Sequence, residues 1–176
     1  MLQYLKDNLS TVIIFSLLLG WLLYQRIPMY QASSKMEGRE APDFTLSALD
    51  GRTYRLSDLR GKVVVVNFWA TWCLPCKVEI PILKSLHSEL EKDGLVILGL
   101  TQESASQVMR FVQENEMNYP VVIDDRSEAA DAYGIRGYPT VVVVDRDGKI
   151  DNYTTGLNFF MKWQIRRLVT GSWIGG

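Results

Sequence analysis

A chain of 176 residues can hold one domain with a proper core and a short appendage. Its 19 basic and 20 acidic side chains leave a net charge of -1 with no basic stripe, which argues against nucleic acid as a partner and against a disordered acidic arm. Two cysteines are too few for a disulfide scaffold, so their presence points to chemistry.

Residues 1–8 read as a short N-terminal tail. Leu9 to Tyr24, LSTVIIFSLLLGWLLY, carries no charge and lies between Lys6-Asp7 and Arg26. As a helix it covers roughly 24 Å, a little under the ~30 Å of bilayer hydrocarbon. Snorkelling by Lys6 and Arg26 closes the shortfall, and Trp21 and Tyr24 suit an interfacial belt. We therefore expect a single transmembrane anchor, or signal-anchor, over residues 9–25. A cleaved signal peptide is the alternative, with Tyr30-Gln31-Ala32 a poor cleavage site. A buried core helix is the least favoured alternative for a segment apolar on all faces with no polar stripe. No cysteine follows the run to accept a lipid. The positive charges do not favour an inward N-terminus, since Arg26, Lys35 and Arg39 follow the span. An extracytoplasmic domain is expected from the chemistry below.

Residues 26–39 are polar and aperiodic and read as a linker, with folding beginning near Glu40. Asp43 to Leu46 and Thr53 to Leu56, around Asp50-Gly51, predict a β-hairpin. Val63 to Phe68, VVVVNF, predicts a central strand buried on both faces. A helix is predicted from Cys73 to about Leu90, with Ile80, Leu83, Leu86 and Leu90 inward and a kink at Pro81. Leu95 to Leu100 is a second buried strand. Ser104 opens a helix with capping-box spacing to Gln107. Val121 to Ile123 is a short strand, and Ser127 to Tyr133 a short helix stopped by Gly134. Thr140 to Val144 and Ile150 to Thr155 form a hairpin around Asp147-Gly148. The last helix, Phe159 to Val169, offers Phe160, Trp163 and Leu168 for packing. This order defines an α/β sandwich with a mixed sheet.

Both cysteines stand in Trp72-Cys73-Leu74-Pro75-Cys76, at a strand-to-helix junction. Thiols at that spacing can close into a small disulfide ring and reopen. The stretch Asn67-Phe68-Trp69-Ala70-Thr71-Trp72-Cys73-Leu74-Pro75-Cys76-Lys77-Val78-Glu79-Ile80-Pro81 resembles the signature of the TlpA/ResA-type thiol–disulfide oxidoreductases. These are the membrane-anchored, reducing branch of the thioredoxin superfamily. The likeness runs from Ala41-Pro42-Asp43-Phe44 through Gly61-Lys62 to Gly137-Tyr138-Pro139-Thr140 and Asp147-Gly148. It implies a thioredoxin-like fold over residues 40–176, a central mixed sheet flanked by helices. It also implies an N-terminal hairpin, a strand–helix insertion within 103–125, and a cis Pro139 against the Cys73–Cys76 disulfide.

A cysteine at a helix N-terminus faces unpaired N–H groups and the positive end of the macrodipole, which favours its thiolate. Cys73 is accordingly expected as nucleophile and Cys76, one turn deeper, as resolving thiol. Pro75 suits the first turn, where its missing N–H costs nothing. Thioredoxins carry a buried acid near the position of Asn67, and an amide cannot take the proton that leaves Cys76. Glu79, three residues after Cys76 on the same helix face, and Glu103, just after the second strand, are the candidate acceptors. Both match acids of the family. A dipole-favoured surface acid is the alternative for Glu79, and a solvated residue for Glu103. Trp69 and Trp72 are expected beside the dithiol on an apolar docking face, although Trp69 also suits the core. Trp72, Pro75, Tyr138 and Pro139 are the expected substrate contacts.

The chemistry needs no cofactor and no metal. Zinc would need four ligands, and the one histidine, His87, lies roughly 16 Å along the helix from Cys76 and is expected to be solvated. Haem attachment would need histidine at Lys77. A peroxidase of the peroxiredoxin kind would want threonine at Ala70. The resemblance implies reduction of disulfides in extracytoplasmic proteins, as in cytochrome c maturation, with electrons from a membrane thiol donor of the DsbD or CcdA kind. It places the chain in the bacterial cytoplasmic membrane with its domain on the periplasmic or outer side. A thiol oxidase or isomerase of the same fold is an alternative. A thiolate copper chaperone is another.

Overall fold

A computed structural model describes residues 9–171, leaving aside the side chains of residue 10 and of 25–35. The expected tail, 1–8, and the snorkelling ends of Lys6 and Arg26 lie outside what is described. The chain divides into two compact units, one ending at Lys35 and one beginning at Met36.

The first unit contains helix α1, Leu9–Met36. Every described side chain from Leu9 to Tyr24 is exposed, and the apolar ones circle the helix. Among the described residues no helix is long and apolar enough to cross a membrane. Helix continues to Met36, through most of the segment expected to be an irregular linker. Loss of hydrophobic periodicity there says little about the backbone, whose helical hydrogen bonds do not depend on an amphipathic face.

The second unit opens with strands β1 (Thr45–Ser47) and β2 (Thr53–Arg55), paired antiparallel as the expected hairpin. Its turn needs a positive φ at Gly51, +81°, which glycine adopts without strain. A five-stranded sheet follows, built from β3 (Val63–Phe68), β4 (Leu95–Thr101), β5 (Val121–Ile123), β6 (Thr140–Val144) and β7 (Ile150–Thr155). Its order is β5-β4-β3-β6-β7. Strands β3, β4 and β5 run parallel, and β6 and β7 antiparallel to their neighbours. β3 lies at the centre and is buried throughout, as its valine run requires.

Four helices complete this unit: α2 (Leu74–Leu90), α3 (Ala105–Glu114), α4 (Glu128–Ala132) and α5 (Met161–Thr170). α2 runs unbroken through Pro81. Ser104 and Gln107 join at the start of α3 as their spacing predicts, the Ser104 N–H donating to Gln107 Oε1 at 3.0 Å. One face of the sheet buries Val63, Val65, Leu83, Leu86, Ile97, Met161 and Ile165 in a common core with α2 and α5.

The inward stripe of α5 is Met161, Ile165 and Val169. This corrects the sequence expectation for Phe160 and Trp163, which are exposed, because residues four apart share a face and the aromatics lie off that stripe, while Leu168 packs against the core as expected. Glu89 of α2 then ties α5 in place, accepting from Lys162 Nζ at 3.0 Å, from Ser85 Oγ at 2.8 Å and from Arg166. Arg166, Lys162 and Ser85 together hold the Glu89 carboxyl down to about 2.

Candidate active site

The backbone leaves β3 at Phe68 and enters α2 at Leu74, so the short segment between them stands at the C-terminal end of the parallel strands. Ligand and reaction sites gather at that end in open α/β sheets. Phe68 pairs with Thr140, which brings Tyr138 and Pro139 to the same end from β6. The Tyr138–Pro139 peptide bond is cis, as the family resemblance implies.

Cys73 is the N-cap residue of α2, and its sulfur is bonded to Cys76 Sγ. Cys73 Sγ also accepts the Cys76 N–H at 3.2 Å. Once the disulfide is reduced, that N–H and the helix dipole favour the anionic sulfur at 73. Both cysteines are buried in the closed ring, at 3% and 1% exposure. The expected difference in depth is thus small in the oxidised state. What stands out around the ring is apolar: Trp72 at 69% and Leu74 at 72% exposure. Trp72 meets the Tyr138 ring edge-on, with centroids 5.8 Å apart. Pro75 is exposed in the first turn. Trp69 packs in one buried cluster with Cys73 and Cys76, as expected, but is wholly buried against Phe111 at 5.2 Å and so belongs to the core and not to the docking face.

The two candidate acids differ sharply. Glu79 is 1% exposed, and neither carboxylate oxygen has a hydrogen-bond partner among the described residues. Burial pushes its carboxyl up to about 7. Glu103 is half-buried and committed, accepting the Thr71 N–H at 2.6 Å and the Thr71 hydroxyl at 2.7 Å. It fixes the turn that leads into Cys73, two residues on. Glu79 has the free valence that a proton acceptor needs, whereas Glu103 is placed to hold the loop.

Gln102, Gly156, Leu157 and Phe159 were not singled out in the sequence. Gln102 accepts from the Tyr138 hydroxyl and donates to Ser127 Oγ at 2.5 Å, bracing the residue before Pro139. The β7–α5 connection donates the Gly156 N–H to Pro139 O at 2.8 Å, and further along it Leu157, Phe159 and Phe160 are exposed. An exposed Phe-Phe pair opening a helix was the available signal. His87, expected to be solvated, is mostly covered and pairs with Glu91 at 2.9 Å. The i,i+4 spacing of those two residues already favours that pair.

A redox disulfide capping a helix, a cis-proline loop facing it and a β-β-α ending define a thioredoxin-like thiol–disulfide oxidoreductase. Residues 38–153 match the AhpC/TSA family, and the chain belongs to it. The chain is 38% identical over 151 residues to the thiol-disulfide oxidoreductase ResA of Geobacillus thermodenitrificans, covering 84% of this chain and 86% of that one. It is 36% identical over 157 residues to the thioredoxin-like protein YneN of Bacillus subtilis, covering 86% and 91%. Among solved structures it is similar to the exposed lipoprotein thioredoxin of Streptococcus pneumoniae, with TM-score 0.65 and 30% identity, over 74% of this chain and all of that one.

Proposed function

We propose that the protein reduces disulfides in extracytoplasmic client proteins, with Cys73 as nucleophile, Cys76 as resolving thiol and Glu79 as proton acceptor. The observation that carries this reading is the Cys73–Cys76 pair at the N-terminus of α2 with an unpartnered, buried Glu79 one turn deeper. The Cys73 thiolate attacks one sulfur of the client disulfide. A mixed disulfide forms, and the other client sulfur leaves as thiolate and takes a proton from water. Cys76 then passes its proton to Glu79, and its thiolate attacks Cys73 Sγ. The mixed disulfide breaks, the second client thiolate leaves, and the Cys73–Cys76 bond closes. Two electrons have moved from this protein to the client.

Trp72, Pro75, Tyr138 and Pro139 form the client-facing rim, with Glu103 supporting it through Thr71. Clients of cytochrome c maturation fit the branch that the motif resembles. A disulfide formed at each turnover must be reopened, so a membrane dithiol donor of the DsbD or CcdA kind is part of the proposal. Insulin reduction tests the reading. The pre-reduced protein is expected to reduce insulin, and Cys73→Ser to fall to the uncatalysed background. Copper binding without turnover would instead favour the chaperone alternative.

The exposed apolar helix from Leu9 to Tyr24 supports a membrane tether, with the domain on the periplasmic or outer side. Tethering raises the effective concentration of a membrane-resident donor. The full chain is expected to stay with membranes through alkaline carbonate extraction. Its release into the soluble fraction would remove the anchor from the proposal.

A further inference from the structure

Strand β4 ends at Thr101, and the two residues after it grip different loops. Glu103 accepts the Thr71 N–H and hydroxyl, holding the segment that enters Cys73. Gln102 accepts from the Tyr138 hydroxyl, holding the residue whose bond to Pro139 is cis. Tyr138 in turn packs against the buried cluster that contains Cys73 and Cys76. Two adjacent side chains therefore fix both segments that frame the disulfide. The Trp72 and Tyr138 rings join those segments edge-on, with centroids 5.8 Å apart.

Gln102 is exposed, and an exposed amide keeps a phenol in one place only when it is itself held. Its nitrogen donates to Ser127 Oγ at 2.5 Å. Ser127 has a φ of +61°, an uncommon conformation for serine, and its N–H donates to Asp124 O at 2.9 Å. Asp124 is 1% exposed, and its two carboxylate oxygens accept the Ala129 and Ala130 N–H groups at 3.2 and 2.8 Å. The brace thus runs from a buried carboxylate through Ser127 and Gln102 to the phenol. Burial, then the charges of Asp124 and Glu103, push the Tyr138 phenol up, so its hydroxyl keeps the proton it donates.

A tyrosine ring swings about two side-chain torsions unless its far end is also fixed. With the hydroxyl tied, Tyr138 presents one edge to Trp72, which is 69% exposed and directly precedes Cys73. An aromatic or aliphatic side chain next to a client cysteine can bury area on that ring pair. We infer that Gln102 is a positioning residue for client choice: by tethering the Tyr138 hydroxyl it fixes the Trp72–Tyr138 surface and so favours disulfides with an apolar neighbour. The inference rests on the proposed reduction of client disulfides through Cys73.

The test uses the pre-reduced full chain and peptides with one internal disulfide, identical except for Phe, Leu or Ser beside the attacked cysteine. Single-turnover reduction gives a half-saturating concentration and a limiting rate for each peptide. The wild type is expected to favour the Phe and Leu peptides over the Ser peptide by about tenfold in half-saturating concentration. Gln102→Leu, which cannot accept the hydroxyl, is expected to cut that preference to about threefold or less, with the limiting rate unmoved. Gln102→Glu keeps an acceptor oxygen and is expected to restore most of it. Tyr138→Phe removes the same bond from the other side and should match Gln102→Leu, the double variant going no further. A full preference in Gln102→Leu and Tyr138→Phe overturns the inference. So does a loss that falls equally on all three peptides or on the limiting rate alone, and so does a wild type that reduces all three alike. A wild type that reduces neither the peptides nor insulin overturns instead the reductase reading beneath it.

Discussion

Cys76→Ala is expected to accumulate a covalent complex between Cys73 and its client, visible as a band that dithiothreitol removes and mass spectrometry identifies. In the wild-type chain the resolving sulfur is bonded to Cys73 Sγ in the oxidised state, so its approach to the mixed disulfide is intramolecular. Effective molarities for well-placed neighbours far exceed millimolar free thiol, so removing Cys76 should lengthen the intermediate's life at least ~10³-fold. The reciprocal variant, Cys73→Ala, is expected to trap nothing. Cys73 caps the helix and its sulfur accepts an N–H that favours the thiolate, whereas Cys76 lies inside the first turn of α2. Trapping through Cys76 in that variant would reverse the assigned roles. Failure of both variants to trap, with the wild type active, would remove the two-step mechanism.

The frame of this site is legible in the sequence because it is local. A run of four valines before Asn67, a cysteine pair at a helix start and Asp-Gly turns each impose structure within a few residues. Glu79 was legible in part: three residues from Cys76 it shares that helix face, while a surface acid stayed open until the structure buried it. Its isolation was not, because that depends on what β3, β4 and the segment before β5 place opposite. Glu103 shows the same limit: its partner Thr71 lies 32 residues away, and only the parallel pairing of β3 with β4 brings them together. The reading of α5 failed for a different reason. Phe160 and Trp163 were expected to pack, whereas the four-residue repeat of Met161, Ile165 and Val169 decides which face turns in. Phe159 and Phe160 instead stay exposed at the start of that helix.

Glu79→Gln is expected to stabilise the oxidised protein at pH 8 while slowing its chemistry. A carboxyl raised from 4.5 to about 7 by burial stays protonated in the fold over a range where the unfolded chain has already released its proton. Between those values the folded state binds more protons, so stability falls as pH rises. A one-unit difference in pKa between the two states is worth about 1.4 kcal/mol, so the loss between pH 4.5 and 7 comes to about 3 kcal/mol. The neutral amide removes that slope. Urea unfolding should therefore show the variant near wild type at pH 4.5 and about 3 kcal/mol more stable at pH 8, less any cost of burying the amide. Glu89 acts in a separate window: its carboxyl is held down, so its contribution is present above about 4.5 and lost as pH falls toward 2. The kinetic side has the opposite sign. Without a carboxylate to receive the Cys76 proton, resolution should slow, by roughly the 10²–10⁴-fold typical of general base catalysis. Its dependence on pH near 7 should vanish. Equal stabilities at pH 8 would mean that Glu79 is charged at little cost in the fold, and an unchanged resolution rate would pass the proton to another group.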